Sequence, residues 1–223
     1  TLYGNQKGDD KMLNIKNISV MNLENAIRGA RNPMNSWSRS DSYYDNNHKY
    51  ILGPNDLDLA KRLCEAGSDH RKFLRQIFIS LDITAPLYWW KEFDTYKIAT
   101  VANSTSTMHK IHSKKFELSD FSHDQMTEST LQVLNKLIEQ LESLRAKFNQ
   151  TKDKKHWYDI IQLLPSSYNQ LRTCTLNYET LRNMYAARKN HKLHEWHVFC
   201  NHVESLPYFN ELILSHKVTS QDT

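Results

Sequence analysis

Apolar and polar side chains alternate from Met12 to Met21, where Leu13, Ile15, Ile18 and Val20 are set among Asn, Lys and Ser, and this period of two predicts a strand. At Leu23, Ala26, Ile27 and Ala30 the spacing changes to three and four, which predicts a short helix that Asn22 can cap and Pro33 closes. A loop rich in Ser, Asp, Asn and Tyr follows over Asn35 to Tyr50. After Gly53-Pro54-Asn55, the residues Leu57, Leu59, Ala60, Leu63, Cys64 and Ala66 recur at helical spacing, with Gly67 as the stop. Phe73, Ile77, Ile79, Leu81 and Ile83 then predict a second strand, its alternation strongest from Ile77.

That strand delivers the chain to a segment unlike the rest. Ala85 to His109 begins with the aromatic run Tyr88-Trp89-Trp90, turns charged at Lys91-Glu92, and ends rich in hydroxyls and amides. Polar groups beside buried rings need partners, so such a segment reads as a pocket lining, or as a helix with a polar outer face. Trp89 and Trp90 fit core and subunit contact better than a stacking platform. From Ser129, Leu131, Leu134, Leu137, Ile138, Leu141, Leu144 and Phe148 mark a long amphipathic helix, a stripe that suits core or subunit interface. A polar turn over Asn149 to Lys155 precedes a short helix from His156 that Pro165 ends. Tyr168 to Thr175 reads as extended or irregular, and one long helical region runs from about Asn177 to Val203. Helices interleaved with strands indicate an α/β chain of one domain over 12–215, preceded by a polar tail over 1–11.

Composition narrows the function classes. No low-complexity linker divides the 223 residues, and a mean hydropathy of −0.70 implies a large wetted or subunit-facing surface. The net charge of +4 is spread along the chain, mildly favouring anionic ligands such as nucleotides without marking a nucleic-acid interface. Cys64, Cys174 and Cys200 are far apart with no CxxC pair, so neither a disulfide framework nor a zinc site is expected, and a reducing cytoplasm is the simplest compartment. No apolar run approaches the roughly 20 residues that span a bilayer, and no secretory leader pattern is read at the amino terminus. His191, His194, His197 and His202 could share a cation across helical turns, but no carboxylate at a ligand spacing completes the set, so no metal is expected. Tyr43, Tyr44 and Tyr50 could cover a ligand or be plain loop residues.

Two stretches together resemble a known family. Leu164-Pro165, followed by Thr175-Leu176-Asn177-Tyr178-Glu179-Thr180-Leu181-Arg182-Asn183-Met184-Tyr185-Ala186-Ala187-Arg188, resembles the LP…TxNxRxLxxFLxLR segment of the flavin-dependent thymidylate synthases, with the same spacing from proline to both asparagines and the arginine. His70 followed by Phe78 to Pro86 is similar to the family's histidine, strand and Ala-Pro. The likeness runs from about Val20 to Val203. It departs at Thr95-Tyr96-Lys97-Ile98-Ala99-Thr100, where the family has RHRxxS, and at Ser106-Thr107-Met108-His109, where it has SxRY. Thr95, Met108 and Ile161 therefore stand where the family places arginines.

The resemblance implies an α/β (α+β) domain whose central, mainly antiparallel sheet is flanked by long helices. It implies a homotetramer with FAD at subunit junctions, NADPH as reductant, methylenetetrahydrofolate as methylene donor, and methylation at C5 of a pyrimidine nucleotide such as deoxyuridine monophosphate (dUMP) without a nucleophilic cysteine. Carried over residue by residue, His70, Tyr96, Lys97, Asn177, Asn183 and His191 fall at cofactor-binding positions. Glu92, Lys97, Ser106 and Arg188 fall at substrate-binding positions, with Arg188 and Ser106 as the catalytic pair. The missing arginines imply an alternative, a protein that keeps fold and oligomer but serves as a nucleotide-binding, flavin-binding or assembly subunit.

Overall fold

The computed structural model describes residues 13–214, so the expected tail and both limits of the expected domain, Met12 and Ser215, lie outside the described residues. The elements run β1 (Asn14–Met21), α1 (Leu23–Ala30), β2 (Tyr43–Tyr44), β3 (Tyr50–Ile51), α2 (Pro54–Glu65), β4 (Phe78–Pro86), α3 (Leu87–Phe93), β5 (Val101–Ser104), α4 (Glu128–Thr151), α5 (Lys154–Leu163), β6 (Asn169–Asn177), α6 (Tyr178–Arg188) and α7 (His194–Glu204). Four strands form one antiparallel sheet in the order β1-β4-β6-β5, and β2 and β3 make a separate hairpin within the loop expected over 35–50. This is the mixed helix and antiparallel-sheet architecture that the resemblance implied.

The period of two in β4 sets the layers. Ile79, Leu81, Ile83 and Ala85 are buried on one face beside Leu176 and Cys174 of β6, while Ser80, Asp82 and Thr84 share the other face with Thr173 and Thr175. In β1 the alternation changes phase, from Leu13 and Ile15 to Ile18 and Val20. The cause is a bulge: Lys16 pairs with Asp82 and Ser19 with Ser80, so one residue is extra, and Asn17 takes it up at φ 53°.

Several expectations need correcting. Asn22 stands at the start of α1 but does not cap it with its side chain; it is left-handed at φ 68° and its Nδ2 donates to the Gln76 carbonyl at 2.9 Å. Phe73 belongs to a 3-10 turn over Arg71–Gln76, and the strand begins only at Phe78. The long terminal helix is two helices, α6 and α7, separated by residues 189–193.

Two apolar clusters hold the chain together. The larger packs the buried sheet face against α1, α2, α3, α6 and α7. The smaller joins Leu134, Leu141 and Leu144 of α4 to Ile160 of α5 and to Ile111, Phe116 and Phe121, so the α4 stripe is core.

Candidate active-site cleft

β4 ends at Pro86, whose fixed φ opens α3, and the ring cluster of α3 anchors the loop beyond this helix. Trp89 and Trp90 are fully buried, Trp89 lying 4.7 Å from Trp196 and 5.2 Å from Phe93 between ring centroids. They are core, as their sequence position indicated.

The last turn of α3 presents Glu92, whose Oε2 accepts from Arg188 Nη1 at 2.7 Å and Trp196 Nε1 at 3.0 Å, with His191 Nε2 3.2 Å away. Arg188 Nε also donates to the Tyr96 hydroxyl at 2.9 Å, and the guanidinium lies 5.5 Å from the Tyr96 ring and 5.0 Å from the Trp196 ring. Glu92, Tyr96, Arg188 and His191, 99 positions apart at the extremes, thus form one group. The break between α6 and α7 makes this possible, because it turns His191 and Trp196 back toward α3.

Tyr96 also borders a cleft of about 500 Å³. One wall is the loop from Thr95 through Lys97 to Ala99; the other is the amino end of α6, with Asn177, Glu179, Thr180 and, one turn on, Asn183. Asn177 caps α6, its Oδ1 accepting the Thr180 N–H at 2.9 Å. The Thr180 hydroxyl donates to the Ile98 carbonyl at 3.2 Å, fastening loop to helix, and Ala99 bends the loop at φ 55°. Glu179 is buried and paired with Arg71, whose Nε lies 3.0 Å from Oε1.

Of the residues singled out in the sequence, Tyr96, Lys97, Asn177 and Asn183 therefore share the cleft, and Glu92, Arg188 and His191 adjoin it through Tyr96. Ser106 and His70 do not line it. Ser106 Oγ accepts the Met108 and His109 N–H groups at 3.2 and 2.8 Å in a turn beyond β5, and His70 is exposed just before the turn at Arg71. Thr95 is in the lining, whereas Met108 and Ile161 are not. Sequence reading missed Arg75, a cation on the cleft wall, and Trp196, which completes the Glu92 group; neither lies in a motif, and only the fold brings them in.

Burial pushes the thiols of Cys64, Cys174 and Cys200 up to about 12, so each is overwhelmingly protonated at neutral pH. Among the described residues no group of three or more His, Cys, Asp or Glu is placed to hold a metal, and no helix is long and apolar enough to cross a membrane. His197 Nε2 meets the His191 carbonyl at 2.8 Å and His202 Nδ1 the Val198 carbonyl at 2.9 Å. The early tyrosines line a second hollow of about 520 Å³ with Trp37 and Arg28. Its loop is tied to α2 by Asp56, which accepts from Arg31, Ser40 and Ser42, and by Asp41, which accepts the Asn55 and Asp56 N–H groups.

No protein-family model and no curated protein sequence matches the chain. Solved structures do. A flavin-dependent thymidylate synthase, ThyX, from Helicobacter pylori, complexed with FAD and dUMP, is similar with a TM-score of 0.64 and 18% identity over 92% of this chain and 98% of that one. A second structure of the Helicobacter pylori ThyX with FAD and dUMP gives the same TM-score and identity over 92% and 97% of the two chains.

Proposed function

We propose that this chain, whose fold is that of flavin-dependent thymidylate synthases, binds FAD along the amino end of α6 and a pyrimidine nucleotide of the dUMP kind beside Arg188, and methylates the pyrimidine at C5. Methylenetetrahydrofolate would provide the methylene and NADPH the reducing equivalents, in a cytoplasmic homotetramer. The observation that supports this reading best is the meeting of Tyr96, Lys97, Asn177 and Asn183, drawn from both halves of the chain, in one cleft next to Arg188.

The lining suits a flavin in size and chemistry: about 500 Å³ lies within the range of small-molecule sites, and asparagine amides match the donor and acceptor edge of an isoalloxazine. When bound, FAD would supply the hydride chemistry that no side chain provides. Asn183 would orient the ring. Arg188, held in place by Glu92 and Tyr96, keeps Nη2 free of hydrogen bonds among the described residues, so it can meet a pyrimidine oxygen and stabilise negative charge there. Glu92 and His191 would fix the angle of that fork. No thiolate is needed, and the raised cysteines offer none.

Titrating the purified protein with FAD and dUMP tests the reading. FAD should bind with a shift of the flavin absorbance bands, and Asn183→Ala should weaken it about tenfold. A parent protein that takes up no flavin would overturn the proposal. Thr95, at the cleft where the resemblance expects an arginine, favours a second reading, a flavin- and nucleotide-binding protein without turnover. Uptake of both ligands with no methylated product from methylenetetrahydrofolate and NADPH would select it.

A further inference from the structure

The cleft is electrically lopsided. Glu179 is the one carboxylate among its described lining residues, and Arg71 already neutralises it at 3.0 Å. Two cations on the same lining, Arg75 and Lys97, have exposed side chains that make no ion pair and no hydrogen bond among the described residues. Asn177 adds an open donor: it is 4% exposed, its Oδ1 is engaged with Thr180, and its Nδ2 has no partner among the described residues. Two unmet positive charges and an unpartnered amide nitrogen, all on residues that line one hollow, form a surface complementary to an anion.

We infer that Arg75 and Lys97 form a phosphate-binding site in this cleft, recognising the phosphate ester of a flavin or of a pyrimidine nucleotide; the inference rests on the reading of the cleft proposed above. Nothing in the family resemblance gives Arg75 a role. A phosphate leaving water needs several charge-assisted bonds, and this cleft has threonine at 95 where the resemblance expects an arginine, with Met108 and Ile161 outside the lining. Arg75 reaches the hollow from a different element, the turn Arg71–Gln76, and offers the two-pronged fork that Lys97 lacks. Arg75 would supply, from the turn before β4, the fork that Thr95 in the loop after α3 does not.

Calorimetric titration of riboflavin, FMN and FAD, and of deoxyuridine and dUMP, tests this on the parent, Arg75→Gln, Lys97→Gln and a control, Arg39→Gln, outside the cleft. Circular dichroism confirms folding of each. The expected result is a loss of about tenfold in affinity for the phosphorylated members with either cleft variant. Riboflavin or deoxyuridine and the control variant should be unchanged, and salt dependence should weaken. Loss confined to FMN and FAD assigns the site to the flavin; loss confined to dUMP assigns it to the nucleotide. If the parent binds these ligands and Arg75→Gln binds the phosphorylated forms as tightly, or loses the unphosphorylated forms equally, the phosphate site is refuted while the cleft reading stands. If the parent binds none of the five, both fall.

Discussion

At the scale of single residues, Arg188 shows how a motif position acquires geometry. Its spacing from Asn183 is legible in the sequence, and the resemblance marks Glu92 and Tyr96 as site positions, but neither shows that these two, more than ninety positions away, aim its guanidinium; Trp196 carries no signature. With Nε and Nη1 engaged and two rings beside it, the guanidinium loses little freedom when it meets a ligand. Arg188→Ala should therefore remove dUMP binding with little change in FAD affinity. Arg188→Lys should not restore it, because an ammonium cannot satisfy Glu92, Tyr96 and a pyrimidine oxygen together. Paired titrations check this, and a lysine variant that binds dUMP like the parent would remove the fork from the argument. Lys97 and Asn183 were legible because they sit in recognisable segments. Arg75 was not, because a cation in a short turn has no period or spacing to betray which way it faces.

Among the elements, α6 joins stability to binding through one residue. Asn177 ends β6 by pairing with Phe78 and begins α6 by capping it. Asn177→Ala should cost about 1 kcal/mol, a fall in Tm of about 2–4 °C for a chain of this size. Asn177→Asp should keep the cap and the Tm, yet weaken FAD binding, since it deletes Nδ2 and adds negative charge to the cleft; differential scanning fluorimetry and flavin titration separate the two. The loop on α2 makes a different kind of link. Burial alone would raise the Asp56 carboxyl, but hydrogen bonds from Ser42, Ser40 and Arg31 outweigh it and hold it below the usual value of 3.8. A carboxyl depressed in the folded state stabilises it above its unfolded pKa and loses that contribution as pH falls through the folded value. Asp56→Ala should flatten the acid limb of the stability curve below about pH 4 and lower stability near pH 7 by about 3–5 kcal/mol, because Arg31 stays buried without its partner. Urea denaturation at several pH values measures both. Gly53 belongs to the same junction, since a Cβ there would lie 2.3 Å from the Asp41 side chain. The sequence marked α2 through its period but showed none of this tie, which depends on hydroxyls and carboxylates with no regular spacing. It also ran α6 into α7, because residues 189–193 contain neither glycine nor proline to mark the break.

At the scale of the fold, among the described residues the helices cover one face of the sheet and leave the other to Ser80, Asp82, Thr84, Thr173 and Thr175, bordered by exposed Phe78, Leu171, Val101 and Met21. The period of two that predicted β4 is the alternation between these two faces, while the bulge in β1 shows in the sequence only as a phase slip between Ile15 and Ile18. Ser106 and His70, assigned to the site by resemblance, lie away from the cleft of their own chain. If the ligand sits at a subunit junction, as proposed, His70 and Ser106 would serve the cleft of a neighbouring copy. Assembly and flavin uptake would then be one equilibrium. Light scattering should give a mass several times that of the 26.3 kDa chain, and FAD affinity should fall on dilution as that mass falls. His70→Ala should weaken FAD binding at high concentration without changing the mass, and Ser106→Ala should do the same to dUMP. FAD binding that stays constant while the protein dilutes to a single chain would place the whole site within one copy and leave His70 and Ser106 without a role in it.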